Sequence, residues 1–363
     1  MIEHFTVDAF RSIQALSIDS LDRINLIAGD NNCGKTTLLE SLMLLRSPDN
    51  IANVFRVCNL RSPNNPFLSS ASPYESFLSL FPQSISSREL GVRADTAHGA
   101  ISCHILGEEH KVLLSPDEML SHSAVRKPYS PDETEDDAFS GQIDYDIFSA
   151  RGRIPLELTA FSRFSGALLR RHEAIPMVYL SPIAHLQGNL INSIIKNDGY
   201  KELCIKALQL FDPDITDMLL LKSPISSKPV EYLRHRSLGV MPLSSYGDGL
   251  KKALALANAV IKAADGVLLI DEIETSLHKK YYDDIFQFIV KACCAFHVQV
   301  FITTHSLEAI DGLLATQNYD QQKSDDAIRV ITLKRTEHKN YARVLSGREV
   351  AADREAFGLE VRL

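Results

Sequence analysis

Residues 24–45, INLIAGDNNCGKTTLLESLMLL, restrict what this chain can fold into more than any other stretch. An apolar run ends in a glycine, a short polar loop follows, and the apolar pattern resumes at helical spacing through Leu38, Leu39, Leu42 and Leu45. The run reads as a buried strand and the continuation as a helix. Between them stands Gly29-x4-Gly34-Lys35-Thr36, the complete phosphate-loop pattern. Its glycines let the backbone turn so tightly that successive N–H groups face one anion, and the helix N-terminus adds unpaired donors and the positive dipole end. A nucleoside triphosphate fits this chemistry. Gly29, Asn31, Asn32, Gly34, Lys35, Thr36 and Thr37 are the expected contacts. Lys35 reaches the β- and γ-phosphates, and the Thr36 hydroxyl is a ligand for Mg²⁺.

The partners of this loop lie far along the chain. ADGVLLIDEIETSLHKK holds a second apolar strand, Val267 to Ile270, ending in Asp271 and Glu272. A carboxylate at a strand end can hold the hydrated Mg²⁺, which assigns Asp271, and Glu272 is placed to polarise the attacking water. VQVFITTHSLEAI gives a third run that ends at Thr303, Thr304 and His305. His305 is the expected contact to the γ-phosphate; a structural histidine is the competing reading. Ahead of both, Ser245-Tyr246-Gly247-Asp248 precedes a helix with apolar residues at Leu250, Ala253, Leu254, Ala257, Val260 and Ile261. That helix start is a second anion-binding end, or else a plainly capped helix. Two phosphate-facing helix ends and one complete nucleotide pocket predict a dimer in which Ser245 and Gly247 of one subunit cap the γ-phosphate held by the other.

These blocks, in this order, resemble the ABC-type ATPase heads of the SMC, RecF and OLD (overcoming-lysogenization-defect) families. Ser245 to Asp248 is similar to their signature loop, with Tyr246 and Asp248 departing from the transporter form. Glu274 to His278, ETSLH, resembles the D-loop that crosses the dimer interface. SSYGDGLKK, LLIDEIETSLH and FITTHSLEAI together look closest to the OLD-like ATPases, many of which act in defence against phage. FTVDAFRSI, Phe5 to Ile13, looks like the first strand of such heads, with Arg11 either near the nucleotide or on the surface.

The resemblance implies an α/β fold, an ABC-type P-loop ATPase head with a helical signature lobe. No heptad repeat occurs in 46–240, so no long coiled-coil arm is expected. It divides the chain into 1–105, the N-terminal part of the core; 106–240, an inserted helical lobe with a mobile acidic loop; and 241–363, the C-terminal part of the core. ATP and Mg²⁺ are the implied cofactors, with Glu272, His305 and Lys35 as the catalytic set. A homodimer or higher homo-oligomer is the implied assembly, with a separately encoded effector, a nuclease of TOPRIM type, as partner. The 58 residues after His305 lack room and acidic ligands for such a domain in this chain. A RecF-like DNA-repair ATPase is the alternative. The glutamine loop of ABC heads is unassigned, with Gln83 and Gln187 as candidates.

Composition narrows the rest. A formal charge of −8 argues against a protein that coats nucleic acid by bulk charge. A local contact stays open through Arg151, Arg153, Arg163, Arg170 and Arg171, against a solvated or internally paired face. No run of 18 apolar residues or signal-like N-terminus occurs, so no membrane partner is expected. Six cysteines without metal-ligand spacing read as reduced thiols in a cytoplasmic protein. LGVRADTAHGAISCHIL, residues 90–106, reads as a hairpin with TAHGA in the turn, 107–142 as an acidic loop, 189–221 as helix, and AIRVITLKR with YARVLSG as a closing strand pair.

Overall fold

Four strands that are apolar on both faces assemble the centre of the protein. They are β3 (Ile24–Gly29), β8 (Met177–Leu180), β12 (Val267–Ile270) and β13 (Gln299–Thr303). The computed structural model describes residues 1–60, 72–82, 88–114, 134–159, 173–222, 229–319, 326–336, 339–358 and 360–361. Among these, β14 (Ile328–Arg335) and β15 (Asn340–Ser346) complete a six-stranded sheet in the order β15-β14-β3-β13-β12-β8. All its neighbours are parallel except β15, which returns antiparallel to β14. Side chains alternate between two cores: Leu26, Leu268, Ile270, Val300 and Ile302 enter one, and Ile27, Leu269, Phe301 and Ile331 the other. Burial on both faces is what parallel sheets require, and it explains why these runs are continuously apolar.

Helix α1 (Lys35–Leu44) fills the second core together with a six-stranded antiparallel sheet. That sheet has the order β2-β1-β4-β5-β6-β7, formed by β1 (Ile2–Phe10), β2 (Ile13–Ile18), β4 (Arg88–Thr96), β5 (Gly99–Leu114), β6 (Thr134–Ile147) and β7 (Ala150–Thr159). The short helices α2 (Ile51–Cys58) and α3 (Pro73–Leu78) pack into the same core. The opposite core takes α4 (Asp198–Gln209), α5 (Asp248–Lys262), α6 (Tyr282–Ala295) and α7 (Leu307–Leu314). A three-stranded sheet, β9 (Ile215–Lys222), β10 (Pro229–His235) and β11 (Gly239–Pro242), leads into α5, and α8 (Gly347–Phe357) follows β15.

Several expectations are corrected. The opening strand ends at Phe10, and Arg11 turns the chain with φ 51° into β2. The described parts of the acidic stretch 107–142 are sheet: β5 runs through Leu114 and β6 starts at Thr134, with 115–133 outside the described residues. Its charges lie on both faces of the end of an antiparallel ladder, mostly exposed, with cross-strand pairs such as Lys111–Asp137 at 2.6 Å. β5 also passes unbroken through the boundary expected at 105/106. Within 106–240 the described residues contain one α-helix, α4, amid strands, so the described part of this segment is mixed rather than wholly helical. Polar, period-two segments there were read as loop or helix because a half-solvated strand carries little apolar signal. The hairpin of β4 and β5 and the closing pair of β14 and β15 are as expected, with Thr96 opposite Gly99 and Val330 opposite Leu345.

Candidate active site

The phosphate loop is shaped by backbone that only glycine tolerates. Gly29 has φ 144°, and a Cβ there would lie 2.5 Å from the carbonyl oxygen of Leu333 and 2.8 Å from Cys33 Sγ. Gly34, with φ 107°, is the N-cap of α1, and no side chain caps that helix. The first N–H groups of α1 are thereby left to an incoming anion. From behind, the buried Asn340 donates Nδ2 to the Cys33 carbonyl at 3.4 Å and accepts from the Gln14 N–H at 3.2 Å. Lys35 Nζ lies on the carbonyls of Gly29 and Asp30, each at 2.8 Å. A phosphate oxygen offers that ammonium a charged acceptor in place of two neutral ones. Asn31 and Asn32 are exposed on the loop, and Thr37 is buried one step into the helix.

Asp271 is the hub of the carboxylate side. The parallel register of β12 sets Ile270 beside Ile302 and Leu180, so the next residue emerges between the ends of β13 and β8. Thr303 donates its hydroxyl to Oδ1 at 2.6 Å, Tyr179 donates to Oδ2 at 3.0 Å, and Thr36 reaches both oxygens at 3.1 and 3.0 Å. A hydroxyl and a carboxylate in contact at a phosphate loop form the hard oxygen donor set that Mg²⁺ prefers. The residues present fit the ion, which Thr36 and Asp271 would hold. The Thr303 hydroxyl also accepts the Glu272 N–H at 2.8 Å, so one side chain fixes both acids. Glu272 itself has φ 47° and accepts from the Thr275 hydroxyl at 3.3 Å. A non-glycine residue held in the left-handed region stores roughly 1–3 kcal/mol of strain, a feature that concentrates at reacting centres.

His305 leaves β13 two residues past its end. The Oε1 atom of Glu274 accepts its backbone N–H at 2.9 Å and stands 2.9 Å from its ring Nδ1. In the same loop Ser276 meets Nε2 of the buried His185 at 3.1 Å. Behind them lies Lys252 of α5, with no exposed surface. Burial pushes this ammonium down to about 8, against the pull of Glu274, Asp271 and Glu272. Burial, followed by the charge of Lys252, also lowers His185.

Thus Gly29, Gly34, Lys35, Thr36, Asp271 and Glu272 lie on one connected surface of loop and strand ends. Ser245 and Gly247 do not join them: among the described residues no hydrogen bond or ion pair links either to the phosphate loop, and both are exposed at the start of α5. The two departures from the transporter signature have local reasons. The Tyr246 ring packs against the core, and Asp248 sits in the first turn of α5, paired with Lys251 at 3.1 Å. Arg11 points away from a nucleotide role: its Nε pairs at 3.1 Å with Glu40, buried on α1, and its Nη1 donates to Ser79. Arg151 and Arg153 are held by Asp146 and Asp144, while Arg163, Arg170 and Arg171 lie outside the described residues, as does Gln83. Gln187 is exposed after β8. Cys33 is buried, and burial raises its thiol above the ordinary value, which disfavours the reactive thiolate.

Comparison with known proteins agrees with this geometry. Residues 118–311 match the family model described as "AAA domain, putative AbiEii toxin, Type IV TA system", and residues 1–85 match one described as "AAA ATPase domain". The first match spans more than half of the chain.

The chain belongs to this AAA-domain family.

The AAA domain is 24% identical to an ATP/GTP phosphatase of Helicobacter pylori over 86% of this chain and 87% of that protein. It is 34% identical to an uncharacterized protein of Methanocaldococcus jannaschii over 32% of this chain and 98% of the other. Its fold matches the crystal structure of an SMC head bound to the C-winged helix domain of ScpA, with a TM-score of 0.51 at 12% identity, covering 97% of this chain and 99% of that one. The AAA domain is therefore an α/β ATPase with the fold of an ABC-type head. Among the described residues no helix is long and apolar enough to cross a membrane.

Several residues of the site were not legible as such in the sequence. Tyr179 lies in MVYL, a strand of four residues two positions ahead of Pro182 and too short to carry a periodic signal. Thr303, Glu274, Lys252 and Asn340 act through contacts that close only in three dimensions. A hydroxyl at the last position of the strand beside Asp271 was the one available signal.

Proposed function

We propose that this ATPase works as an ATP-gated dimer, or a higher assembly built from that dimer, and that it controls a separately encoded effector. The observation that carries this reading is the separation of the two phosphate-facing ends. Lys35, Thr36 and Asp271 meet in one place, whereas Ser245 and Gly247 stand exposed on another helix start, where a Cβ added to Gly247 would touch nothing. A second copy brings its α5 N-terminus to the γ-phosphate and completes the site.

In that arrangement the loop N–H groups and Lys35 bind the β- and γ-phosphates, and Thr36 and Asp271 would hold Mg²⁺, which would supply charge neutralisation. Glu272, strained and fixed by Thr303, orients and polarises the attacking water, and His305 contacts the γ-phosphate. Catalysis is positioning and electrostatics, without a covalent intermediate. ATP stabilises the closed pair and hydrolysis releases it, a population shift that a bound effector can read.

The motif order and the sequences SSYGDGLKK and LLIDEIETSLH favour an OLD-like ATPase of anti-phage defence, with a TOPRIM-like nuclease as the separate effector. The SMC head of similar fold is itself bound to a partner domain. The DNA-repair alternative gains little from the surface, because Arg151 and Arg153 are neutralised by acids on the neighbouring strand.

Sedimentation of Glu272→Gln with ATP tests the reading. The variant should lose at least about a hundredfold in turnover and persist as the assembled form. Lys35→Ala should neither bind ATP nor assemble. A Glu272→Gln protein that turns over normally, or stays monomeric with saturating ATP, contradicts it. Co-purification with the product of an adjacent nuclease gene, with and without ATP, tests the effector.

A further inference from the structure

The D-loop carboxylate of Glu274 is not a surface charge. Its side chain is 9% exposed, its Oε1 accepts the backbone N–H of His305 and lies 2.9 Å from that residue's Nδ1, and its Oε2 is buried with no hydrogen-bond partner. Lys252 is the complementary case. It is fully buried on α5, and its Nζ reaches the Pro182 carbonyl only at a long 3.4 Å. Each charge alone would carry an uncompensated desolvation cost of several kcal/mol, and no ion pair joins the two directly, but Glu274 is the first of the acids whose attraction opposes the burial of Lys252. The helix that bears Lys252 is the one whose first turn follows Ser245 and Gly247.

We propose that Glu274 is a positioning residue for His305, with Lys252 as its buried counter-charge, so that the signature helix and the γ-phosphate histidine share one electrostatic link. Glu274 accepts the proton on Nδ1 and thereby fixes both the tautomer and the rotation of the ring, and Nε2 becomes the atom that meets the phosphate. A movement of α5, when its N-terminus engages a nucleotide, carries Lys252 with it and alters the field on Glu274. The proposal rests on the reading of His305 as a γ-phosphate contact.

Steady-state kinetics of the full chain provide the test, with Glu274→Ala, Glu274→Gln, Lys252→Met, His305→Ala and the double variants. Glu274→Ala should lower kcat roughly tenfold to a hundredfold with KM for ATP nearly unchanged, since a misplaced group costs rate rather than binding. Glu274→Gln should recover most of the loss, because its amide oxygen still accepts both His305 donors. Adding Glu274→Ala to His305→Ala should cost nothing more, and Lys252→Met should lower kcat without adding to Glu274→Ala. Multiplicative losses, or a rise in KM alone, overturn the positioning role. An unchanged kcat in Lys252→Met overturns the counter-charge.

Nitrogen-15 spectra of histidine-labelled protein at pH 8, where an ordinary imidazole is neutral, give a readout independent of turnover. His305 should carry its proton on Nδ1 in the wild type and in Glu274→Gln and shift toward Nε2 in Glu274→Ala; an unmoved tautomer overturns the proposal. If the wild type hydrolyses no ATP, the proposed function fails while these spectra still decide the role of Glu274.

Discussion

Thr36 and Asp271 stand 235 positions apart in the chain and meet with the threonine hydroxyl 3.0 Å from the carboxylate. This contact joins the first turn of α1 to the end of β12, and it exists because β13 lies between β3 and β12 in the parallel sheet. Tyr179, at the end of β8 on the other side, donates to the same carboxylate. Removing that hydroxyl with Tyr179→Phe should cost about 1.5–3 kcal/mol, the ordinary contribution of a hydrogen bond to a charged group. It should also raise the Mg²⁺ concentration needed for half-maximal turnover. Urea unfolding together with an Mg²⁺ titration of ATPase activity checks both. Unchanged stability and an unchanged Mg²⁺ requirement would show that Tyr179 is not part of the metal side.

Gly29 is the tightest point of the loop. Gly29→Ala combines a left-handed φ of 144° with a Cβ 2.5 Å from the Leu333 carbonyl. The substitution should cost about 2 kcal/mol or more and abolish ATP binding through distortion of the loop. Calorimetric melting and fluorescence titration with a labelled ATP analogue measure the two effects. An alanine variant that binds ATP normally would mean that the loop relaxes in a way this geometry does not allow.

Lys252 predicts a pH dependence of stability. Its folded value of about 8 lies below the ordinary 10.5, so between these limits the unfolded chain holds a proton that the folded chain has released. Stability from this group therefore rises with pH across that window, by about 2 kcal/mol between pH 7.5 and 9.5, and the full burial cost is present below pH 8. Urea denaturation of the wild type and Lys252→Met at both pH values isolates the contribution. The difference between the two proteins should change by this amount; parallel behaviour would contradict the buried, charged lysine.

The sequence made the central elements plain where the signal is local. INLIAG and VLLI are strands of the expected extent because both faces are buried, and Gly29 and Gly34 mark the loop because their backbone admits little else. Asp271 and Glu272 followed from the end of an apolar run. What was hidden depends on pairing over long distances. The β5–β6 ladder looks like an acidic loop until Lys111 meets Asp137, and Arg11 looks like surface or site until Glu40 is seen beneath it. Tyr179 and Lys252 belong to the site through neighbours supplied by other strands and helices, so no short window of sequence could reveal them; Glu274 stands in the D-loop-like ETSLH, but its contact with His305 is not visible there.

The composite nature of the site is tested most directly by mixing two inactive proteins. Lys35→Ala destroys the phosphate loop and leaves Ser245 and Gly247 intact, while Ser245→Arg blocks the exposed start of α5 and leaves the loop intact. Each alone should be inactive. Mixed in equal amounts, the two variants can close only as a heterodimer with one competent site in two, so turnover should rise well above that of either alone, to at most about half the wild-type rate. A mixture that stays at background, or a Ser245→Arg protein that hydrolyses ATP like the wild type, would contradict a reaction centre shared between two copies.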